Sequence, residues 1–533
     1  MCKRLHCFRW KFFGSLETHH SSVKAAASVL ACVFHGSPDL VLSDILAGYI
    51  LLTIVQSHEK HLGVLPNGEK AMGTPEAVCA EKVMTNLRGV ADDDDPITIS
   101  ISATLDTCGN LETDSSIILP INMVGDITDA RALDIRIEEL AYYSKYAIGA
   151  YGWLLYIYTY PWKGIFYLLG SYSLQRRHTL IFGDNWLRLN QSALYLASGI
   201  TSQDLLYASF RGTVSHPAFY VGHDHDKREV VVAIRGTLSL EDCLTDAMAQ
   251  HMSMDAIATQ LGCDGVGEFA HEGFLQAAHT IYLEIERLQL LKTLYTLTST
   301  HTEGPESAGY RMVLVGHSLG AAAASLLAVM LKPKYPDLRC FCYSPPGCTM
   351  SAGLSDRCKD YVTSVVLGHD VVASASVQAA EEFRDQILEV IERSKVSKVA
   401  ILRCTAASRE IKDLLHDSSN DTGRESAFVH HLNRYRESLK QVRAKQALYE
   451  LMMPGRLIHL KHKDAEDDFH GTDTNRSRRR CRSLARKIEY DFEWTHHTKF
   501  RSIRIARSML DDHLASNVHA VLQNCVNRSQ RPT

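Results

Sequence analysis

A serine between two glycines is the residue of this sequence best placed for covalent chemistry. The motif Gly-His-Ser-Leu-Gly spans residues 316–320, with Ser318 at its centre. Residues 313–315 before it form an apolar run that is typical of a strand buried on both faces, and residues 321–324 after it are alanines that favour a closely packed helix. A strand that turns into a helix this sharply holds the serine in a strained turn with its hydroxyl presented for attack. The pattern predicts a nucleophile elbow with Ser318 as nucleophile, and its alternative is a tight turn before an ordinary core helix.

A serine hydroxyl needs a base to take its proton and a carboxylate to orient that base. In a sheet of this kind the order along the chain is serine, acid, histidine, each on a loop after the carboxyl end of a strand. Asp370 meets this condition, because "YVTSVVL" predicts a strand and Gly-His-Asp follows it directly. Asp356 and Asp360 precede that strand and would lie at the wrong edge. Asp370 is therefore the predicted acid, with a helix N-cap as its alternative role.

The base must be selected by position, because the chain has 26 histidines. Residues 498–505, "TKFRSIRI", alternate as a last strand would, and His513 follows in the loop or first helical turn after them. His519 lies further into the predicted helix, and His496 and His497 come before the predicted strand. His513 is the predicted base.

The negative charge that develops on an attacked carbonyl requires fixed hydrogen-bond donors. Leu319 offers its backbone N–H at the start of the predicted helix. Thr237 follows an earlier predicted strand in "AIRGT" and could supply a second backbone N–H or its hydroxyl. Asp242 and Asp246 could secure that loop, or could cap a helix.

These residues need a scaffold in which strands and helices alternate. The predicted strands are residues 230–234, 312–315, 339–346 and 360–370. The predicted helices between and after them are residues 273–291, 319–331 and 379–393. A polar hairpin at residues 222–229 precedes the first of these strands. The alternation predicts the α/β class, with a mostly parallel central sheet and helices on both faces.

Composition excludes several classes of protein. The chain has 533 residues and a net charge of −4, and its basic residues are spread apart except in one late cluster, so nothing favours nucleic-acid binding. Its 14 cysteines show no repeating spacing, which favours reduced cytosolic thiols over a zinc site or a disulfide framework. Only Cys340 and Cys342 lie close together, on one face of a predicted strand.

The region before residue 129 gives few signals of a packed domain. No signal peptide is evident, and the apolar segment at residues 40–56 carries Asp44, so we expect a buried or interfacial helix there. Residues 57–127 are expected to be weakly ordered, with the acidic run at 91–96 as a solvated loop. Residues 129–151 predict a long amphipathic helix. The aromatic run at 152–172 is interpreted as core, with some rings at a lipid-facing rim.

Several separate stretches resemble one family. The stretches are "VVVAIRGTLSLEDCLTDAM", "AHEGFLQAA", "VLVGHSLGAAAASLLA", "CYSPPG", "SVVLGHDVV" and "SMLDDHLASNV". Together they are similar to the class 3 lipases and, within them, to the sn-1-specific diacylglycerol lipases, over about residues 130–525. The resemblance implies an α/β-hydrolase fold with Ser318, Asp370 and His513 as the triad. It also implies hydrolysis of diacylglycerol to a 2-monoacylglycerol, such as 2-arachidonoylglycerol, and a fatty acid.

The resemblance leaves alternatives open. A general triacylglycerol or phospholipid lipase is one, and a catalytically silent lipid-binding scaffold is another. The triad itself requires no cofactor, although the resemblance implies a response to calcium. The expected partners are diacylglycerol and a membrane surface.

The resemblance also implies an organisation of the chain. Residues 1–128 would be an N-terminal helical and poorly ordered region, and residues 129–533 the lipase domain with a charged regulatory insertion at about 405–497. Within the insertion, the basic tract at 475–483 could sit on anionic lipid, and phosphorylation of Ser483 would weaken that attraction. Relatives in animals carry four transmembrane helices before the catalytic domain, whereas this stretch holds one marginal candidate. We expect a membrane-associated protein with a cytoplasmic catalytic domain and a reduced or missing anchor.

Overall fold

The computed structural model describes the following parts of the chain. These are residues 42–61, 121–160, 163–172, 180–213, 215–237, 251–291, 310–403, 411–416, 450–462, 490–506 and 508–529, with single positions at 434 and 437. Several predicted features lie outside the described residues. They are the acidic run at 91–96, Asp242, Asp246, the basic tract at 475–483 with Ser483, and most of the insertion at 405–497.

The strands of the described residues are numbered in chain order. They are β1 (Ile181–Phe182), β2 (Leu205–Ser209), β3 (Phe219–Asp224), β4 (Glu229–Ile234), β5 (His251–Ser253), β6 (Phe269–His271), β7 (Arg311–His317), β8 (Arg339–Tyr343), β9 (Met350–Ser351), β10 (Val362–Leu367), β11 (Leu451–Met452), β12 (Arg456–His462) and β13 (Tyr490–Thr495).

The helices are numbered in the same way. They are α1 (Leu42–His61), α2 (Ile121–Ala150), α3 (Trp153–Thr159), α4 (Gly164–Tyr172), α5 (Leu189–Ser198), α6 (Asp255–Leu261), α7 (Glu272–Leu288), α8 (Leu319–Leu331), α9 (Ala352–Arg357), α10 (Val377–Glu392), α11 (Lys398–Leu402), α12 (Ile411–Leu414) and α13 (Ala515–Ser529). A 3₁₀ turn spans His497–Phe500.

The central sheet of the described residues has nine strands in the order β1-β2-β3-β4-β7-β8-β10-β12-β13. Neighbours from β4 to β12 are parallel, while β2–β3, β3–β4 and β12–β13 are antiparallel. Residues of β4 and β10 are buried throughout, as the continuous apolar runs predict for strands that are covered on both faces. The mostly parallel α/β sheet is therefore confirmed. A second sheet pairs β11, β9, β6 and β5.

Helix α8 packs directly against the middle of the sheet. Every residue of this helix is buried, and it contacts β7, β8 and α7. Glycine is required near the end of β7, because a Cβ on Gly316 would lie 2.1 Å from the carbonyl oxygen of Gly320 in the first turn of α8. Small residues on both sides of the turn therefore let the helix fold back onto the strand from which it emerges.

Helix α1 is buried against α10. Its residues Leu51 and Leu52 are buried together with Ile387 and Leu388 of α10. A Cβ on Gly48 would lie 2.7 Å from Cγ2 of Ile387, so the two helices approach closely. Of the two sequence-based alternatives for this helix, the structure shows the buried one. Among the described residues, no helix combines the length and the apolar composition that crossing a membrane requires.

The chain divides into two compact units. Unit 1 comprises residues 1–56 and 136–533, and unit 2 comprises residues 57–135. The described part of unit 2 is the end of α1 and the first part of α2. Unit 1 contains the two sheets described above.

The predicted last strand at residues 498–505 is wrong. The last strand is β13, which pairs antiparallel with β12, and the 3₁₀ turn follows it. Residues 498–500 belong to that turn, and further along the N–H of Ile505 donates to Oε1 of the Gln56 side chain at 2.9 Å. Alternation therefore predicted a strand where the chain forms a 3₁₀ turn and then a segment that bonds a side chain. Strand β12 lies in "MPGRLIHLKH", which the sequence analysis did not assign to a strand.

Candidate active site

Ser318 lies at the sharp turn between β7 and α8. Its φ and ψ angles are 59° and −132°, a combination that L-residues rarely adopt. Its N–H donates to the carbonyl of Tyr343 in the neighbouring strand β8 at 2.9 Å. The strand-to-helix turn thus holds this serine in strained geometry, as a nucleophile elbow does.

The structure brings Ser318, Asp370 and His513 together. Nε2 of His513 lies 3.0 Å from Oγ of Ser318. Nδ1 of the same imidazole lies 3.0 Å from each carboxylate oxygen of Asp370. An ionised carboxylate can only accept, so Nδ1 carries the proton and Nε2 can accept one from the serine. The three groups are aligned for proton transfer from hydroxyl to imidazole.

Asp370 lies in the loop after β10, at the carboxyl end of the parallel strands. Its side chain is buried, and Oδ1 also accepts the N–H of Val372 at 2.9 Å. The carboxylate therefore shapes its own turn and bonds the imidazole as well. Asp356 lies in α9 and Asp360 lies before β10, on the opposite edge of the sheet.

Thr237 and Leu319 flank the serine from two elements. Leu319 is the first residue of α8, where backbone N–H groups have no intrahelical acceptor. Thr237 ends the described part of the loop after β4. The preceding Gly236 passes very close to the elbow, because a Cβ on it would lie 2.5 Å from the carbonyl oxygen of His317 and 2.9 Å from Cβ of Ser318. Both predicted oxyanion donors thus belong to segments adjacent to Ser318.

Sequence analysis missed a buried chain of hydrogen bonds behind the base. Nε2 of His317 lies 2.7 Å from the carbonyl oxygen of His513, which can only accept, so Nε2 donates. Nδ1 of His317 must then accept the hydroxyl of Tyr151, at 2.7 Å. Burial, followed by the nearby His513, lowers the pKa of His317 to about 3, so this ring is neutral. His317 lies inside the serine motif, but no signal in the sequence pairs it with Tyr151.

The carboxylate of Asp512, which the sequence did not single out, links the loop of the acid to the loop of the base. Oδ2 of Asp512 accepts the N–H of His369 at 2.9 Å and the hydroxyl of Ser508 at 2.7 Å. Gly368 has a φ of 53°, and a Cβ there would lie 2.3 Å from Oδ2 of Asp512. The residue directly before Asp370 is therefore bonded to the residue directly before His513. The acidic pair that precedes His513 was the available signal.

His459 of β12 bonds the turn at Gly368, which directly precedes the loop of the acid. Its Nε2 lies 2.7 Å from the carbonyl oxygen of Gly368 and therefore donates to it. Burial and the nearby Lys499 lower the pKa of His459 to about 4. This neutral histidine holds the turn that carries Asp370.

The other candidate histidines lie elsewhere. His519 lies within α13, where its Nδ1 is 2.6 Å from Oγ of Ser144, and His496 and His497 follow β13 instead of preceding a strand. Within the described part of the chain, no group of three or more His, Cys, Asp or Glu side chains could hold a metal ion. The sulfurs of Cys340 and Cys342 lie 3.6 Å apart, and both residues are reduced thiols.

A parallel sheet with an elbow serine, an acid and a histidine at its carboxyl edge defines the α/β-hydrolase class. A sequence model of the lipase (class 3) family matches residues 231–380, which contain Ser318 and Asp370. This segment of the chain is therefore of the class 3 lipase type.

Curated relatives extend the similarity beyond that segment. Mouse diacylglycerol lipase-beta is 31% identical over 397 residues, which are 72% of this chain and 55% of the relative. Human diacylglycerol lipase-alpha is 31% identical over 409 residues, which are 73% of this chain and 36% of the relative. The chain thus spans about half or less of the length of these relatives. A crystal structure of mono- and diacylglycerol lipase from Aspergillus oryzae matches with a TM-score of 0.30 and 24% identity, covering 44% of this chain and 72% of that one.

Proposed function

We propose that this protein is a serine hydrolase that cleaves the sn-1 acyl ester of diacylglycerol in a membrane, releasing a 2-monoacylglycerol and a fatty acid. One observation carries the chemistry, namely the alignment of Ser318, His513 and Asp370 at 3.0 Å per contact. The substrate is supported by similarity to proteins named diacylglycerol lipases. Because the proposed substrate is a membrane lipid, we also propose that the protein associates with a membrane, with its catalytic domain on the cytoplasmic side.

The proposed reaction follows from the protonation states of the triad. Oγ of Ser318 attacks the ester carbonyl while Nε2 of His513 takes the hydroxyl proton. Asp370 stabilises the imidazolium through Nδ1 and keeps the ring oriented. The imidazolium then gives its proton to the departing glyceryl oxygen, which leaves an acyl-serine. Water, activated by the same histidine, releases the fatty acid and restores the serine.

Charge on the attacked oxygen needs donors that are already in place. We assign this role to the backbone N–H of Leu319 and to Thr237, through its N–H or its hydroxyl. Loss of one such donor costs on the order of 10² to 10³ in rate, so the Thr237 loop should matter nearly as much as the triad. The steric closeness of Gly236 to Ser318 supports this assignment.

The decisive test is Ser318→Ala assayed beside the wild type. We expect loss of labelling by a fluorophosphonate probe and a fall in turnover of at least about 10³-fold, because the residual rate rests on binding alone. Diacylglycerol, triacylglycerol and phosphatidylcholine should be compared with one preparation, with separately labelled sn-1 and sn-2 chains.

The outcomes separate the alternatives. Undiminished hydrolysis in Ser318→Ala would refute the serine mechanism. Faster cleavage of triacylglycerol or phosphatidylcholine would leave the mechanism standing and replace the substrate. A wild-type protein that neither labels nor hydrolyses any of them would be a lipid-binding scaffold.

A further inference from the structure

Two short helices expose aromatic and aliphatic side chains to solvent. We call α3 and α4, with Tyr160 and Lys163 between them, the aromatic helix pair. In α4, Leu168 is buried, whereas Ile165, Phe166, Tyr167 and Leu169 are exposed, Phe166 to 74%. A Cβ on Gly170 would meet no atom within 4 Å. A helix that is apolar nearly all round usually lies in a core or against lipid, and this one has only one side in the core.

The buried side of the pair fixes it to the domain. Tyr156 of α3 and Leu168 of α4 pack with Ala193 of α5. The sequence analysis interpreted the aromatic run at 152–172 as core with some rings at a lipid-facing rim. In the structure, the helix pair in this run has one side buried and one side exposed. The exposed apolar side is held rigidly by the buried one.

The composition of the aromatic helix pair suits the surface of a lipid bilayer. Lys163 is the single charged residue among residues 151–172, and it is exposed. The segment also carries several tyrosines, whose rings are apolar and whose hydroxyls are polar. Such rings favour the boundary between acyl chains and headgroups, and a lysine can extend toward anionic headgroups from there. Helices of 7 and 9 residues are too short to span a bilayer, which needs about 20 residues.

The pair is continuous with the catalytic residues. Leu155 of α3 packs with Tyr151 and with Ala515, two residues after His513. Tyr151 in turn bonds His317, the neighbour of Ser318. The exposed apolar side of α4 therefore belongs to a helix pair whose other helix, α3, packs at the start of α13 and against the tyrosine that bonds His317.

We propose that the aromatic helix pair is the surface by which this protein docks on a phospholipid bilayer, with the exposed side of α4 inserted at the depth of the headgroups. This inference deepens the proposed function, since it names the surface that brings the triad to its lipid substrate. Docking requires no catalytic step, so it can be measured separately from hydrolysis.

The test compares two double variants of the full chain. Phe166→Ser/Leu169→Ser removes apolar area from the exposed side of α4. Leu283→Ser/Val399→Ser is the control, because it removes two exposed apolar side chains from α7 and α11, outside the aromatic helix pair. Flotation with phosphatidylcholine vesicles, with and without phosphatidylserine, measures binding. Hydrolysis of a water-soluble short-chain ester and of diacylglycerol in vesicles measures activity.

We expect the α4 variant to lose vesicle binding by at least about tenfold, since two partly inserted side chains contribute at least that much. Its hydrolysis of diacylglycerol in vesicles should fall in parallel, while its hydrolysis of the soluble ester stays within about twofold of wild type, because neither residue touches the triad. The control variant should behave as wild type in all three assays.

Several results would overturn docking through α4. These are wild-type-like vesicle binding by the α4 variant, an equal loss in the control, or no vesicle binding by the wild type. A wild-type dimer that the α4 substitutions convert to a monomer would identify a second copy of the chain as the occupant. Absence of diacylglycerol hydrolysis by a wild type that binds vesicles would instead defeat the substrate proposal and leave docking intact.

Discussion

At the scale of single residues, the backbone of His513 is held as firmly as its imidazole. His317 donates to its carbonyl, and Tyr151 donates to His317, both at 2.7 Å. Because His317 is buried and neutral, each of its nitrogens has one fixed role. Tyr151 therefore acts as a positioning residue for a base that it does not touch.

Tyr151→Phe should separate positioning from folding. The change leaves Nδ1 of His317 as a buried acceptor without this donor, which should cost about 1–3 kcal/mol in the free energy of unfolding. A shift in the His513 loop should also lower kcat on a soluble ester about tenfold with little change in KM, because misalignment acts mainly on the transition state.

Tyr146→Phe is the matched control for that variant. It removes another buried tyrosine hydroxyl of the same chain region, one that donates to Asp224 at 2.6 Å, away from the triad. We expect a comparable loss of stability with unchanged kcat. Equal kcat values for Tyr151→Phe and wild type would show that the hydrogen-bond chain is only structural.

At the scale of elements, α1 supports the loops that carry the acid and the base. The Gln56 side chain accepts the N–H of Ile505 at 2.9 Å and lies 3.3 Å from the carbonyl oxygen of Ile503 as a donor. Ile503 packs against Val371 and Val372, which directly follow Asp370. An N-terminal helix thus reaches the catalytic loops through one amide side chain.

Gln56→Met keeps the length of that side chain and removes these two hydrogen bonds, together with the one that Nε2 of Gln56 donates to Oε1 of Gln386 at 3.3 Å. We expect the amide of Ile505 to lose protection in hydrogen exchange and the free energy of unfolding to fall by about 1–2 kcal/mol. Thr53→Val is the control on the same helix, because the Thr53 hydroxyl bonds only within α1, to the carbonyl of Tyr49 at 2.8 Å. Unchanged exchange at Ile505 in Gln56→Met would contradict a supporting role for α1.

Helices and strands were predictable where the sequence indicates both the backbone conformation and the burial of the side chains. The apolar runs in β4, β7 and β10 identified strands buried on both faces, and the small residues after Ser318 identified α8. Residues 498–505 show alternation alone, and this pattern did not distinguish a paired strand from the 3₁₀ turn and irregular segment that the structure has there. The partners of His317 and Gln56 could not be predicted, because contacts between residues distant in the chain leave no local pattern.

At the scale of the whole molecule, neutral buried histidines make the stability of the fold depend on pH. Burial is the first cause that lowers the pKa of His317 to about 3 and the pKa of His459 and His497 to about 4 each. In the unfolded chain a histidine titrates near 6.5. The unfolded state therefore binds more protons than the folded state between about pH 6.5 and pH 4, so stability falls as the pH is lowered through this window.

His459→Gln isolates one of these contributions. The glutamine amide can still donate to the carbonyl of Gly368 but does not titrate, so the variant should lose less stability on acidification than the wild type. The difference should grow by about 1.4 kcal/mol per pH unit below pH 6.5 and level off near pH 4, because one proton is involved. Urea unfolding at pH 7.5, 6 and 5 measures it, with His216→Gln at an exposed position as the control. Parallel pH dependence in wild type and His459→Gln would mean that His459 takes up its proton as readily in the folded protein as in the unfolded chain, which would contradict a lowered pKa.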